Sequence, residues 1–141
     1  MKNVLLAVLL LLPLGAMAQE DYSWGSYWSV TSVDTMDGRF DDYIADLKKN
    51  WRRSLEMQKK DGHVLSYRMF ANADKRMGEP DLWLFVEHKS AGSAYDLPYD
   101  YWEKMADKLW GSTEKGDKAN VKRGELRTIM SSTLLREFDF K

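Results

Sequence analysis

His63 and His88 are the only histidines of the chain, and they bracket two segments of strand composition, His63 to Asn72 and Leu82 to Lys89. If the chain doubles back about residues 75 and 76, the two imidazoles stand opposite one another, and a shift of two residues leaves them diagonal neighbours on one face. Such a pair can pass a proton, hold a metal or ligate haem, with Glu87 or Asp61 as helpers. A metal site normally takes three or four ligands with supporting partners, which two histidines do not reach. The plainer reading is two half-exposed histidines at the open end of a hairpin, and no metal or cofactor is assigned.

Two arginines stand among aromatic residues. Arg68 on the first of these segments faces Trp83 or Phe85 on the second, and Arg136 sits among Leu134, Phe138 and Phe140. A guanidinium enclosed by rings can grip a carboxylate through two hydrogen bonds or stack as a cation over a ring. The structural alternative is an intersubunit ion pair with Glu87 or Glu137. Trp51, Tyr67, Trp83, Tyr99, Tyr101 and Trp102 suit an aromatic pocket for a planar ligand, although stripes at helical or strand spacing more often form core. Tyr95, Tyr99 and Tyr101 are less periodic and fit a pocket mouth. The candidate ligand-binding residues are therefore Arg68, Trp83, Phe85, Tyr99, Tyr101 and Arg136, with His63 and His88 as proton-transfer or metal candidates.

Four further patterns carry no chemistry. Asp41-Asp42 suits the positive end of a helix dipole. The basic cluster Lys48 to Arg53 reads as a solvated helix face offset by acidic neighbours. No nucleophile elbow, zinc-protease helix, P-loop or dinucleotide fingerprint occurs. With no cysteine there is no disulfide, thiol nucleophile or Cys-based zinc site.

Several elements must position these residues. Tyr27 to Asp34 is rich in β-branched and aromatic residues and predicts a first strand. Phe40, Ile44, Leu47, Trp51 and Leu55 then recur at helical steps, predicting one long helix stopped by Gly62. The segments His63–Asn72 and Leu82–Lys89 predict an antiparallel hairpin around an exposed loop, Ala73 to Asp81. Ala91-Gly92-Ser93 breaks the strand, and a second helix opens with Pro98 in its first turn, carries Tyr99, Trp102, Ala106 and Leu109, and ends at Gly111. Ser112 to Lys118 reads as polar connection, Asn120 to Met130 as a weaker third helix interrupted by Gly124, and Thr133 to Phe140 as a fourth strand.

Composition agrees with one folded domain. Of 141 residues, 44% are apolar and 30% charged, and 21 Lys+Arg against 22 Asp+Glu leave a formal charge of −1. That balance argues against nucleic acid, which takes a clustered basic excess to release counterions from phosphates.

The first eighteen residues read as an address. Met1-Lys2-Asn3 is a positive start, Val4 to Leu12 an unbroken apolar run, and Ala16-Met17-Ala18 a cleavage pattern. The run is far short of the roughly 20 apolar residues that cross a bilayer. The expectation is a signal peptide over 1–18, a lead-in over 19–26 and a single α+β domain over 27–141, exported to periplasm or medium and free of the membrane after cleavage.

The order β-α-β-β-α-β is the ferredoxin-like one, four antiparallel strands with both helices on one face. Sorted by parity, Leu65, Tyr67, Met69, Ala71, Leu82, Leu84 and Val86 fall on the helix-covered side. Val64, Ser66, Arg68, Phe70, Trp83, Phe85, Glu87 and Lys89 fall on the other. Phe70, Trp83 and Phe85 then make an aromatic patch of a kind uncommon on monomers. In this the chain resembles the dimeric α+β barrel proteins, among them antibiotic-biosynthesis and haem-degrading monooxygenases, muconolactone isomerases and stress-responsive A/B barrel proteins. The resemblance spans Tyr27 to Phe140, rests on element order, the long first helix and the aromatic second face, and transfers no catalytic residue. It implies a homodimer with a cleft between sheet and helices. The expected function is binding of a small, partly aromatic ligand without a permanent cofactor. The alternatives are a cofactor-independent monooxygenase or isomerase, and a haem- or metal-binding protein.

Overall fold

The computed structural model describes residues 21–141; the leader expected over Met1–Ala18 lies outside them. Strand β1 (Tyr22–Thr35) leads into α1 (Phe40–Asp46), a π-helical turn (Leu47–Trp51) and α2 (Arg52–Lys60), which run on as one helix. Strands β2 (Val64–Ala71) and β3 (Leu82–His88) follow, then α3 (Ala91–Tyr95), α4 (Tyr99–Trp110), α5 (Thr113–Gly124) and β4 (Arg127–Phe140). The four strands form one sheet in the order β2-β3-β1-β4, antiparallel throughout, which is the ferredoxin-like arrangement.

Alternation on β3 decides which side is core. Leu82, Leu84, Val86 and His88 are buried, whereas Trp83, Phe85 and Glu87 between them are only half-buried. Val33, Leu82 and Leu84 pack with Tyr43 and Leu47 of the helix, and Val64 and Val86 pack with Leu55. The helix therefore covers the even-numbered side of β3 and leaves the odd-numbered side open. Each fully buried side chain of this kind contributes about 1.5–3 kcal/mol relative to exposure.

Several expectations need correction. The long helix is not uniformly α: the π turn admits an extra residue, so the buried positions are Tyr43, Leu47, Asn50, Leu55 and Gln58, and Phe40 is exposed. Residues 22–26 are strand rather than lead-in, because they pair with the far end of β4, as in Tyr22 with Phe140 and Trp24 with Phe138. At the other end of β1, Asp34 and Thr35 pair with Thr128 and Arg127, so β4 reaches back to Arg127 and cuts short the helix expected over Asn120–Met130. The helix begins instead at Thr113, where the Ser112 side chain caps the backbone N–H of Lys115, and it ends at Gly124. Ser90 caps the short α3 in the same way. Pro98 is the residue before α4 rather than in its first turn, and Gly111 closes that helix at φ +84°, a conformation glycine takes without strain.

The hairpin forms, with a different register. Val64 stands opposite His88, but Ser66 stands opposite Glu87, so Leu65 is an extra residue bulged out of the ladder. The bulge turns Val64 into the core and exposes Leu65, reversing both face assignments, and it removes the expected direct pairing of His63 with His88. From Ser66 onward the assignments hold: Tyr67, Met69 and Ala71 lie opposite Val86, Leu84 and Leu82, and Arg68 and Phe70 lie opposite Phe85 and Trp83. No helix among the described residues is long and apolar enough to cross a membrane.

Candidate functional site

The molecule has two concavities on opposite sides of its sheet, of which one is lined by Arg68, Phe85 and Arg136 and the other by Tyr99, while Trp83, Tyr101, His63 and His88 line neither. The first is a groove of about 460 Å³ on the open face of the sheet, lined by Trp28, Arg68, Phe70, Phe85, Leu135, Arg136, Glu137 and Phe138. Its aromatic floor follows from the register, since Arg68 and Phe85 are cross-strand partners and Trp28 stands next to them on β1. The Phe85 ring meets Phe70 edge-on at 5.2 Å and Trp28 at 6.4 Å, geometries that the ring quadrupoles favour. Trp83, opposite Phe70, extends the same face beyond the groove.

Arg136 is held in place by stacking. Its guanidinium carbon lies 4.8 Å from the centre of Trp24 and 5.0 Å from that of Tyr27, a double cation–π contact. Neither it nor Arg68 makes a salt bridge among the described residues of the subunit. The acidic groups of this face are satisfied by neutral donors. Ser26 Oγ lies 2.7 Å from Glu87 Oε1 and 3.0 Å from Glu137 Oε2, Ser66 Oγ donates to Glu87 Oε2 at 2.5 Å, and Trp28 Nε1 donates to Glu137 at 3.4 Å. The hydroxyls of Ser66 and Ser26 lower the Glu87 pKa despite partial burial, with the Arg68 charge adding a smaller push in that direction.

The second concavity, about 380 Å³, opens between the helices. The π turn supplies Asn50 and Trp51, α2 supplies Ser54, α4 supplies Tyr99, Trp102, Glu103, Met105 and Trp110, and α5 supplies Gly116, Asp117 and Arg123. Its back wall is a chain of polar contacts. Arg123 Nε donates to Asp46 Oδ2 at 2.5 Å, Asn50 Nδ2 donates to Asp46 Oδ1 at 2.6 Å, and Trp110 Nε1 donates to Asn50 Oδ1 at 3.2 Å. The ion pair is largely buried, with side-chain exposures of 14% and 15%, so it depends on those extra hydrogen bonds to offset desolvation. Gly116 explains itself here: a Cβ at that position would meet Trp110 Cε3 at 3.0 Å, so the bare backbone lets the indole lie against α5. π turns often mark functional sites, and this one aims two side chains at the pocket.

Tyr99 thus lines the helix-side pocket, but Tyr101 does not. Tyr101 Oη donates to Asp61 Oδ2 at 2.8 Å, and its ring meets His63 edge-on at 5.0 Å. Burial, then the carboxylate that accepts its proton, raises the phenol pKa strongly. Tyr95 is exposed on α3. The predicted aromatic pocket is therefore split, with Trp51, Tyr99 and Trp102 on the helix side, Trp83 on the open sheet face and Tyr67 hydrogen-bonded to Glu56 at 2.7 Å beside Trp51.

The two histidines do not act as a pair. His88 is buried on the helix side, where Nε2 and Ser29 Oγ are 2.9 Å apart, while the His63 ring packs on Tyr101. Burial lowers the His88 pKa, and the backbone of His63 opposes that shift only partly. Among the described residues no group of three or more histidines and acids is placed to hold a metal ion.

Asn50, Trp110, Arg123, Trp28 and Glu137 were missed as site residues. Asn50 had a legible signal, a polar residue three positions after Leu47 on the apolar stripe. The others depend on contacts between distant segments.

No family model matches the sequence, and no curated protein does. Among solved structures, the chain is similar to protein SO0527 from Shewanella oneidensis, at 15% identity and a TM-score of 0.47, covering 84% of this chain and 97% of that one. It is similar also to Rv0793 from Mycobacterium tuberculosis, at 15% identity and a TM-score of 0.46, covering 80% and 93%. A third is a dimeric ferredoxin-like protein from an uncultured marine organism, at 10% identity and a TM-score of 0.47, covering 84% and 90%.

Proposed function

We propose that the chain is exported and works as a homodimer, two sheets packed open face to open face, with the groove between them receiving a small, partly aromatic anion. The observation that carries this reading is the open face itself. Trp28, Phe70, Trp83, Phe85 and Leu135 share it, Phe70 and Leu135 remain about half exposed, and an apolar surface of this kind invites cover. Charge supports a second copy as that cover. The face carries Arg68 without a salt-bridged carboxylate and Glu137 without a basic partner among the described residues, and a second copy packed on it offers each a residue of opposite charge. Arg68, set among rings on the open face, suits a carboxylate attached to a planar group.

Native mass spectrometry of protein purified from its own host reads subunit number and retained small molecule together. The expected species is a dimer whose subunits begin at Gln19 and which carries a non-protein mass that an Arg68→Ala variant loses. A monomer in that spectrum, confirmed by sedimentation equilibrium at tens of micromolar, would remove the reading.

A further inference from the structure

We propose that the pocket between the π turn, α2, α4 and α5 is a second binding site, for a small organic cation of the substituted-ammonium class. Its walls are the aromatic side chains Trp51, Trp102, Trp110 and Tyr99, whose ring faces attract a cation lying within about 6 Å. Two contacts leave Trp51 and Trp102 directed by rings outside the pocket: Trp51 meets Tyr67 edge-on at 5.4 Å, and Trp102 meets Tyr101 at 5.5 Å. Trp110 is fixed by its hydrogen bond to Asn50 and by the bare backbone of Gly116. Rings held from behind lose little freedom on binding.

The charge of the lining selects the sign of the ligand. Glu103 and Asp117 stand on the lining with no salt-bridge or hydrogen-bond partner among the described side chains. The one cation of the lining, Arg123, is neutralised by Asp46. An anion entering here meets uncompensated carboxylates, whereas an ammonium bearing methyl groups meets rings and acids together. A volume of about 380 Å³ is in the range of small-molecule sites and admits such a group with room to spare. The inference is independent of subunit pairing and of the sheet-face groove, which lies on the opposite side of the sheet from the helices and carries the opposite charge preference.

Isothermal titration calorimetry of the folded chain with choline chloride is the test. Its comparison ligand is the uncharged analogue in which a tert-butyl group replaces trimethylammonium. Choline is expected to bind at least tenfold more tightly than that analogue. Trp102→Ala, at a half-exposed position, is expected to weaken choline about tenfold, as is the double variant Glu103→Gln with Asp117→Asn, while Met77→Ala, in the exposed loop between β2 and β3, leaves it unchanged. Equal binding of the charged and uncharged ligands would overturn the inference, because the site would then read shape alone. So would the absence of choline binding at millimolar concentration, whatever the oligomeric state proves to be.

Discussion

The indole N–H of Trp110 donates to Asn50 Oδ1 at 3.2 Å, joining the end of α4 to the π turn of the first helix. Asn50 also donates to Asp46, so one buried amide serves partners on two elements. Replacing it with alanine leaves the indole N–H and one carboxylate oxygen unsatisfied. Asn50→Ala is expected to lower the unfolding free energy by about 1–3 kcal/mol, read from urea titration. An unchanged midpoint would show that water replaces the amide at no loss.

On the open face, Phe70 lies 5.2 Å from the Phe85 ring and is half exposed in the single subunit. Phe70→Asp places a charge in the middle of the proposed interface without disturbing the core. The variant should sediment as a folded monomer where the parent is a dimer, since loss of an aromatic anchor costs about 2–4 kcal/mol of association. A dimer of unaltered affinity would exclude this face as the contact.

His88 gives stability a pH dependence near neutrality. Its imidazole is harder to protonate in the folded chain, chiefly because it is buried, so the unfolded chain takes up the proton first as pH falls. Stability is therefore expected to fall between about pH 7.5 and 5.5, across the ordinary histidine value near about 6.5. His88→Gln, which keeps a partner for Ser29, should flatten that slope in urea titrations at fixed protein concentration. A slope that survives the substitution would assign the effect elsewhere.

Asp81 controls a second, more acidic range. Burial opposes its charge, but the side chain and backbone N–H of Thr35 together with Lys75 outweigh that and hold the carboxyl at about 2. A depressed carboxyl stabilises the fold above its unfolded value and loses the contribution as pH drops from about 4 towards about 2. Asp81→Asn should cost on the order of 1–2 kcal/mol at neutral pH, allowing for screening by solvent, and should weaken acid sensitivity in that range. Thermal melts at pH values on either side would register both effects.

The legible parts of this fold were those in which local chemistry and tertiary demand agree. The alternation from Leu82 to His88 announced a strand with one buried side, and Pro98 and Gly111 framed α4 closely. What escaped was set by partners remote in sequence. Residues 22–26 become strand only by lying alongside the last residues of β4, residues 127–132 only by lying alongside Thr31 to Thr35 at the other end of β1, and Ser131 and Ser132 have no strand signature of their own. The start of α5 rests on one capping serine within a run of charged residues. The bulge at Leu65 reversed two neighbouring side chains although the composition of β2 is unbroken. For the sites, the pairing of Arg68 with Phe85 follows from the hairpin and was legible, while Asn50 and Trp110, sixty positions apart, could be joined only by three-dimensional packing.

The π turn carries a hereditary signature in its length. Removing one residue between Leu47 and Trp51 would restore a regular hydrogen-bond ladder, and by backbone criteria alone the helix would improve. Everything after the deletion would, however, swing by about 100° around the axis, taking Leu55 away from Val64 and Val86 and Ser54 away from Met105. The helix is thus a vernier of two scales read against different surfaces, and descendants of this chain can shed the surplus residue only by rebuilding one of them.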